Sequence, residues 1–270
     1  MCAARSLTFG GQAVAAESSE RRSKLQAEAV STVPEYDVVA GELMRLLGLA
    51  YPPLAITFTA EAPEGVASFD DPFPPPTPDG RTGRVAAGCV FWIKAAERTF
   101  ATAPEDHGNC SVGSLTHGLT TLEEAAEQAD VAALVESEWV SPEVFPDIPT
   151  VKARPDSIIY GPLSETPVDP DVVFLRVSAK QLMVLHDAWP SLRVEGKPQC
   201  HIIAIAKEQG EVAASVGCML SRARTGMSAS EMTCAIPVGS VAALVEQLRN
   251  VREANDAVAN YAAADAKRFR

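Results

Sequence analysis

Four of the six cysteines occur as two pairs with similar surroundings along the chain. Cys89 and Cys110 form the first pair and Cys200 and Cys218 the second, and each pair is separated by a similar length of chain. In both, an apolar segment with alanines and a short β-like piece lie between the cysteines. Soft thiolates favour iron–sulfur clusters, zinc or copper(I). The recurrence of the pair therefore predicts a ligand site rather than four independent packing positions.

The similarity between the two segments extends beyond the cysteines. Gly118 and Gly226 follow the second cysteine of each pair at the same distance, and a hydrophobic segment typical of a strand precedes each unit. We interpret the units as two copies of one motif. The predicted fold is α/β with two similar, pseudo-repeated halves, each with the order strand, Cys, helix, short strand, Cys, helix. Thiols of both halves are expected to face each other across the join.

The spacing of the cysteines restricts the kind of site. A C-x-x-C pair is absent from the sequence, which argues against zinc ribbons, thioredoxin-like sites and standard ferredoxin spacing. The leading prediction is an iron–sulfur cluster, with [4Fe–4S] as a candidate type, held by Cys89, Cys110, Cys200 and Cys218. Four protein ligands favour electron transfer, whereas an open iron favours Lewis-acid chemistry on a small molecule. The prediction leans to an iron–sulfur-dependent oxidoreductase or lyase with a small-molecule substrate or redox partner.

Two further residues are candidates for catalysis. His107 lies shortly before Cys110 in a Gly-containing turn, where it could bind metal or donate a proton; a surface-loop histidine is the alternative. Arg222 lies one helical turn beyond Cys218, where it could neutralise a bound anion. The alternative for Arg222 is a solvated side chain, which we expect for Arg224.

Two other functions remain open from the sequence. Free cysteine is among the most buried residue types, so a non-catalytic small-molecule binding protein with packed cysteines is the main alternative. Thiol catalysis by Cys110 with His107 is a third hypothesis. We expect His117 and His201, beside apolar runs, to be packed or hydrogen-bonded, and Cys234, which has no counterpart in the repeat, to lie in the core.

The overall charge limits the partners. The formal net charge is -12 and the pI about 4.8, so the field of the protein repels phosphate backbones and anionic membranes. We expect no nucleic-acid partner. Apolar runs stay below the roughly 18 residues of a spanning helix, and the amino terminus lacks the pattern of a secretory signal. These features predict a soluble, cytoplasmic protein with reduced thiols and no membrane partner.

The remaining pattern divides the chain into a flexible leader, 1–33, one pseudo-twofold domain, 34–250, and the end of the last helix with a tail, 251–270. Apolar periodicity predicts a helix from Tyr36 to near Gly48. A second helix is predicted over 122–135 with a capping box at its start, and a last helix with Ser240 as its cap. The predicted strands are 54–58, 157–163 and 171–177, with a short strand around 99–102. Prolines predict a long surface loop over 70–83.

Residues 34–250 resemble the domain of unknown function 169 family. The resemblance rests on LGLAYPPLAITF, EDHGNCSVGSLTHGL, YGPLSETPVDPDVVFLRVSAKQLMVL and VGCMLSRARTGMSASEM, followed by AIP before the last helix. It covers most of the chain, and the joint occurrence of these segments is specific. The family name implies no activity.

Overall fold

A seven-stranded sheet forms the centre of the computed structural model, which describes residues 35–70 and 88–269. The strands are β1 (Leu54–Thr59), β2 (Phe100–Thr102), β3 (Ser157–Pro162), β4 (Val172–Ser178), β5 (Arg193–Glu195), β6 (Ala213–Ser215) and β7 (Glu231–Pro237). Their order across the sheet is β2-β3-β1-β4-β7-β6-β5. Neighbouring strands are antiparallel, apart from the parallel pair of β5 and β6.

Helices cover both faces of this sheet. In chain order they are α1 (Tyr36–Leu47), α2 (Gly88–Lys94), α3 (Ser111–Thr116), α4 (Leu122–Ala126), α5 (Ala129–Glu136), α6 (Ala179–Ala188), α7 (His201–Ala204), α8 (Met219–Thr225) and α9 (Val238–Asp265). A π-helical turn, Ile205–Gln209, continues α7. Turns of 3-10 helix occur at Pro104–His107, Pro142–Asp147, Leu163–Glu165 and Ala266–Phe269.

Side chains of β4 show how the two faces differ. Because successive side chains of a strand point to opposite faces, Val173 and Leu175 join one core with α1, α6 and α9, while Val172 and Phe174 join another. The second core is aromatic: Trp92 lies 4.7 Å from Phe174, ring centroid to ring centroid. The helices that carry or follow the four paired cysteines belong to this aromatic face.

The sheet order separates the two cysteine segments. β1, β2 and β3 lie on one side of the boundary between β1 and β4, and β4 to β7 lie on the other. β1 and β4 are antiparallel. This order is compatible with two similar halves, but the predicted duplication itself stays a prediction.

The α/β class predicted from the sequence is confirmed, as are the strands β1, β3 and β4 and the helix α1. That helix ends at Leu47, and Gly48 follows with a left-handed φ of 63°. Such a φ suits glycine, which has no Cβ to clash with the backbone.

Two details of the sequence prediction are wrong, and one strand was missed. The helix expected over 122–135 is two helices, although its capping box of Thr121 and Glu124 is present. Helix α9 begins after Pro237, so Ser240 lies inside it rather than capping it. The helix continues to Asp265, inside the range 251–270 in which its end was expected. Strand β7 was not predicted, because EMTCAIP mixes polar, small and apolar residues without a β-branched run.

Some predictions fall on other parts of the chain. The leader 1–33 lies outside the described residues, and so does the loop predicted over 70–83, except for Asp70. From Tyr36 onward the chain forms one compact unit. In the described part of the chain, every helix is too short or too polar to cross a membrane.

Candidate functional site

The four paired cysteines line one cavity of about 380 Å³ on the aromatic face of the sheet. We call it the cysteine cavity. Cys89 lies in the first turn of α2, and the other three immediately precede helices: Cys110 before α3, Cys200 before α7 and Cys218 before α8. Cys89 is buried, whereas the other three are partly exposed. The structure thus brings together all four sequence-predicted ligands.

Contacts between the two segments explain this convergence. Helix α2 of the first segment contacts α8 of the second, and α3 contacts α7. The first contact pairs the elements of Cys89 and Cys218, and the second pairs those of Cys110 and Cys200. Cysteines far apart in sequence therefore meet because each helix packs against one from the other segment.

Hydrogen bonds from three other elements fix helix α3. Cys110 makes no side-chain cap, and Asp130 of α5 takes that role. Its carboxylate accepts from the Ser111 backbone N–H at 3.0 Å and from the Ser111 hydroxyl at 2.6 Å. The Ser114 hydroxyl donates to the His107 carbonyl at 2.9 Å. At the other end, the Val151 N–H donates to the Thr116 carbonyl at 3.0 Å.

Burial keeps thiols of the cavity protonated. It raises the pKa of Cys89 to about 11, although a hydrogen bond with Ser221 opposes the shift. Burial also raises the pKa of Cys200 well above its ordinary value, and the neighbouring Cys110 adds to this. The Thr116 hydroxyl donates to Cys200 Sγ at 3.2 Å and acts in the opposite direction. Without a cation in the cavity, these thiols stay neutral at physiological pH.

The guanidinium that reaches the thiols belongs to Arg224. This side chain lines the cavity and hydrogen-bonds with Cys110. Burial lowers the pKa of Arg224, but interactions with Cys110, Cys89 and Asp130 together raise it more, so the net shift is upward. A positive charge is therefore held beside one sulfur. The expectation that Arg224 is simply solvated does not match this position.

Arg222 occupies a different environment. Its Nη2 donates to the backbone carbonyls of Val216, at 3.2 Å, and of Glu231, at 2.5 Å. These bonds tie the loop before α8 to the start of β7. Arg224, and not Arg222, is among the residues that line the cavity. The structure therefore does not bring Arg222 to the cysteines, and a role for it in neutralising an anion there has no contact to support it.

His107 is buried rather than on a surface loop, with 1% of its surface exposed. Its Nε2 lies 2.9 Å from the Thr102 hydroxyl, which also donates to the Ile158 carbonyl at 3.1 Å. A carbonyl can only accept, so the single hydroxyl proton of Thr102 goes to Ile158. The hydroxyl oxygen therefore accepts from His107 Nε2–H. The other nitrogen, Nδ1, has no hydrogen-bond partner and is not bonded to Cys110. Burial lowers the pKa of His107 well below its ordinary value.

The sequence reading missed three polar groups of the cavity. His117, Trp92 and Gln199 line it, and the buried atoms His117 Nε2, Trp92 Nε1 and Gln199 Oε1 have no hydrogen-bond partner. Buried polar atoms without partners are rare in folded proteins. Only the position of His117, shortly after Cys110, offered a signal in the sequence. Together the three groups supply acceptors and a donor for a bound molecule.

The cysteine cavity does not form a preorganised site for a metal ion. Within residues 35–70 and 88–269, no three His, Cys, Asp or Glu side chains are arranged so that they could hold one. Cys234, the cysteine outside the repeat, is fully buried in the opposite core, as expected. The four cavity cysteines thus share a wall without converging on a single point.

Comparison with known proteins gives the family and no activity. No curated protein and no solved structure matches the chain. A family profile described as uncharacterised ArCR, the domain of unknown function 169, matches residues 42–247. This match spans both cysteine segments and the whole cavity wall between them. The chain therefore belongs to the domain of unknown function 169 family.

Proposed function

We propose that the protein is a cysteine-ligated iron–sulfur protein whose cluster binds in the cysteine cavity. The observation that carries the proposal is the convergence of Cys89, Cys110, Cys200 and Cys218, from two distant segments, on one cavity. A packing role does not require four sulfurs to line an open space. Soft thiolates in such a space are suited to iron–sulfur clusters.

The electrostatics of the cavity favour a bound cation. Burial keeps Cys89 and Cys200 as neutral thiols, and a thiolate in such surroundings is costly unless a positive charge compensates it. Iron supplies that charge and makes the thiols lose their protons. Arg224, which hydrogen-bonds with Cys110, offsets part of the net negative charge that several thiolates bring.

The spread of the sulfurs favours a cluster over a single ion. A tetrahedral zinc ion needs its ligands around one point, with each sulfur about 2.3 Å from the metal. No such group exists among the described residues. In a [4Fe–4S] cluster each cysteine binds a separate iron, so the sulfurs lie further apart around a larger object. A cavity of about 380 Å³ offers space for one.

The chemistry that we propose is redox or Lewis-acid chemistry on a small molecule. A bound cluster supplies electrons or an open iron, depending on how many protein ligands it keeps. The chain supplies the binding surface, with the Trp92 Nε1–H as a donor and Gln199 Oε1 as an acceptor, both unpartnered. A mostly apolar cavity with a few polar groups is typical of small-molecule sites.

The test is metal analysis of the full chain, expressed in iron-replete cells and purified without oxygen. We expect bound iron, acid-labile sulfide and a visible charge-transfer band. Single Cys→Ala variants at positions 89, 110, 200 and 218 should then lose most of the iron in at least three of the four cases. Cys234→Ala is the matched control, because Cys234 is equally a buried thiol but lies in the other core.

Two results would overturn the proposal. One is a colourless, iron-free protein that also fails to take up iron and sulfide on anaerobic reconstitution. The other is a bound cluster whose iron content is unchanged in two or more of the four cavity variants. Zinc in place of iron and sulfide would show a different metal at the same cysteines.

A second candidate is a non-catalytic small-molecule binding protein, which the apolar cavity and its unpartnered polar atoms favour. In this case the cysteines only form part of the wall. The two candidates differ in their response to chelators. A binding protein keeps its thermal stability when metals are removed, and its thiols react with alkylating reagents at the same rate before and after chelation.

A further inference from the structure

In the ring of His117, one nitrogen is hydrogen-bonded and the other has no hydrogen-bond partner. Its Nδ1 lies 2.7 Å from the Gly113 carbonyl oxygen. A carbonyl accepts but cannot donate, so Nδ1 carries the proton. The side chain is 1% exposed, and burial lowers its pKa to about 4, so the ring is neutral at physiological pH. Nε2 therefore presents a lone pair, and this buried atom has no hydrogen-bond partner.

His117 belongs to the wall of the cysteine cavity. His117 lines the cavity with the four cysteines, and its immediate neighbours connect it to three of them. The hydroxyl oxygen of Thr116, the residue before His117, lies 3.2 Å from Cys200 Sγ. A Cβ built on Gly113, which accepts from His117, would lie 3.3 Å from Cys110 Sγ.

The third connection passes through Gly88, the residue before Cys89. A Cβ built on Gly88 would lie 3.2 Å from His117 Cε1 and 3.7 Å from its Nε2. The same Cβ would lie 3.9 Å from Nδ1 of His107. The unpartnered nitrogen of His117 thus lies close to the backbone that carries Cys89.

The two other buried histidines differ from His117. His107 has a bare Nδ1, but His117 is the one of these two that lines the cavity. His201 also lines the cavity and its Nε2 likewise has no hydrogen-bond partner, but this nitrogen lies 3.5 Å from a Glu195 carboxylate oxygen. His117 alone among these three combines a cavity position, a backbone carbonyl on one nitrogen and no charged neighbour on the other.

We propose that His117 Nε2 is a nitrogen ligand of the iron in the cysteine cavity, taking one ligand position beside three cysteines. A metal-binding histidine typically donates its other N–H to a backbone carbonyl or carboxylate, which fixes the tautomer and the ring. His117 has this arrangement before any metal binds. Its Nε2 has no proton to lose, so it can bind iron directly, whereas each thiol must release one proton. The inference rests on the proposed function.

Ligation by three cysteines and one histidine has two consequences. Replacement of a thiolate by a neutral imidazole makes the cluster less negative and raises its reduction potential. It also leaves one of the four cavity cysteines free of iron, so one Cys→Ala variant should keep the cluster. That cysteine would border the site where a small molecule binds.

The test uses the anaerobically purified full chain with all histidines labelled with ¹⁵N, which is simple to interpret because the sequence has four. Pulsed electron paramagnetic resonance of the reduced cluster should show a strong coupling that changes from ¹⁴N to ¹⁵N on histidine labelling. In His117→Cys, which offers a thiolate instead, iron and sulfide should remain while this coupling disappears and the reduction potential falls. His201→Gln, in the same cavity wall, should keep the coupling.

Each outcome bears on the inference. A cluster that shows no histidine coupling, or whose coupling persists in His117→Cys, would contradict His117 as a ligand while leaving the proposed function intact. Loss of the coupling in His201→Gln, with its retention in His117→Cys, would assign the ligand to His201. Absence of iron and sulfide from the wild-type protein would overturn both proposals. The labelled wild-type protein gives an answer even if His117→Cys does not fold.

Discussion

At the scale of single residues, the surroundings of a side chain decide its chemistry more than its distance from a motif does. Arg222 and Arg224 are two positions apart in α8, yet the first binds backbone carbonyls and the second a cysteine. Side chains two positions apart on a helix point in different directions, and this helix begins directly after Cys218. Sequence spacing placed Arg222 one turn beyond the cysteine, but it could not show that carbonyls of Val216 and Glu231 surround that position.

Because two histidines are buried and neutral, we expect the stability of the protein to depend on pH in the acidic range. His117 has a pKa of about 4 and His107 a pKa well below 6.5, in both cases mainly because of burial. In the unfolded chain, histidine titrates near 6.5. Between pH 6.5 and 4 the unfolded state therefore binds more protons, so stability falls as the pH falls. Above pH 6.5 both states are neutral and this contribution is fully present.

For His117 the loss is about 3 kcal/mol over that interval, since one pKa unit corresponds to about 1.4 kcal/mol. We expect urea unfolding of the metal-free protein to show a steeper decline in the free energy of unfolding between pH 6.5 and 4.5 than that of His117→Gln. Comparing slopes removes any constant cost of the substitution. Equal slopes in the two proteins would show that His117 takes up a proton in the folded state as easily as in the unfolded state.

At the scale of secondary-structure elements, sequence patterns predicted the centre of the sheet and the short strand β2 at one edge, but not β5 or β7. SIIYGP and VVFLRVS are β-branched or aromatic runs, and both form strands. β5 and β6 contain three residues each, RVE and AAS, and pair through backbone groups that the sequence does not reveal. The order of four short helices around the cavity depends on tertiary contacts between segments, and such contacts have no local signal.

The candidate site was predicted to a similar extent. Recurrence identified Cys89, Cys110, Cys200 and Cys218 as a group, and all line one cavity. His117 was not identified, because its role depends on which nitrogen is hydrogen-bonded to Gly113. Tautomers are set by three-dimensional neighbours, so a sequence pattern cannot indicate them.

Two glycines that look equivalent in sequence differ in the structure. Gly118 and Gly226 have left-handed φ values of 72° and 68°. A Cβ on Gly118 would lie 2.4 Å from the Val151 carbonyl oxygen, whereas one on Gly226 would meet nothing within 4 Å. Gly226→Ala should therefore lower the free energy of unfolding by only about 1–2 kcal/mol, which is the cost of an alanine in the left-handed conformation. Gly118→Ala should cost clearly more, because the backbone at Val151 must also move.

Urea unfolding of both variants measures this difference. The Val151 N–H donates to the Thr116 carbonyl, so movement there also disturbs the end of α3, next to His117. Gly118→Ala should thus lower cluster occupancy as well as stability, while Gly226→Ala should leave the cluster in place. An equal loss of stability in the two variants would contradict the close approach at Gly118.

At the scale of the whole molecule, the cysteine cavity is where the two segments meet on one face of a continuous sheet. The opposite face is closed by α1, α6 and α9 around a separate apolar core. β4 and β7, next to each other in the sheet, are further joined by a buried ion pair between Arg176 and Glu231. The sheet is thus secured on one face by a core that is separate from the cavity.

Removal of the cluster should therefore weaken the protein without unfolding it. Ligands that bind only the folded state stabilise it, and the proposed cluster, held by cysteines of both segments, would connect α2 and α3 to α7 and α8. For a chain of this size about 1 kcal/mol shifts the thermal midpoint by about 2–4 °C. We expect chelation under anaerobic conditions to lower the midpoint of the wild-type protein and of Cys234→Ala by at least about 5 °C.

The iron-free cavity variants give the matching comparison. They lack the cluster from the start, so chelation should leave their thermal midpoints unchanged, near that of the chelated wild-type protein. The core of α1, α6 and α9 should still unfold cooperatively in all of them, because its residues do not line the cysteine cavity. If chelation left the wild-type midpoint unchanged, the two segments would be held together by side-chain packing alone, and the cavity would have no stabilising metal.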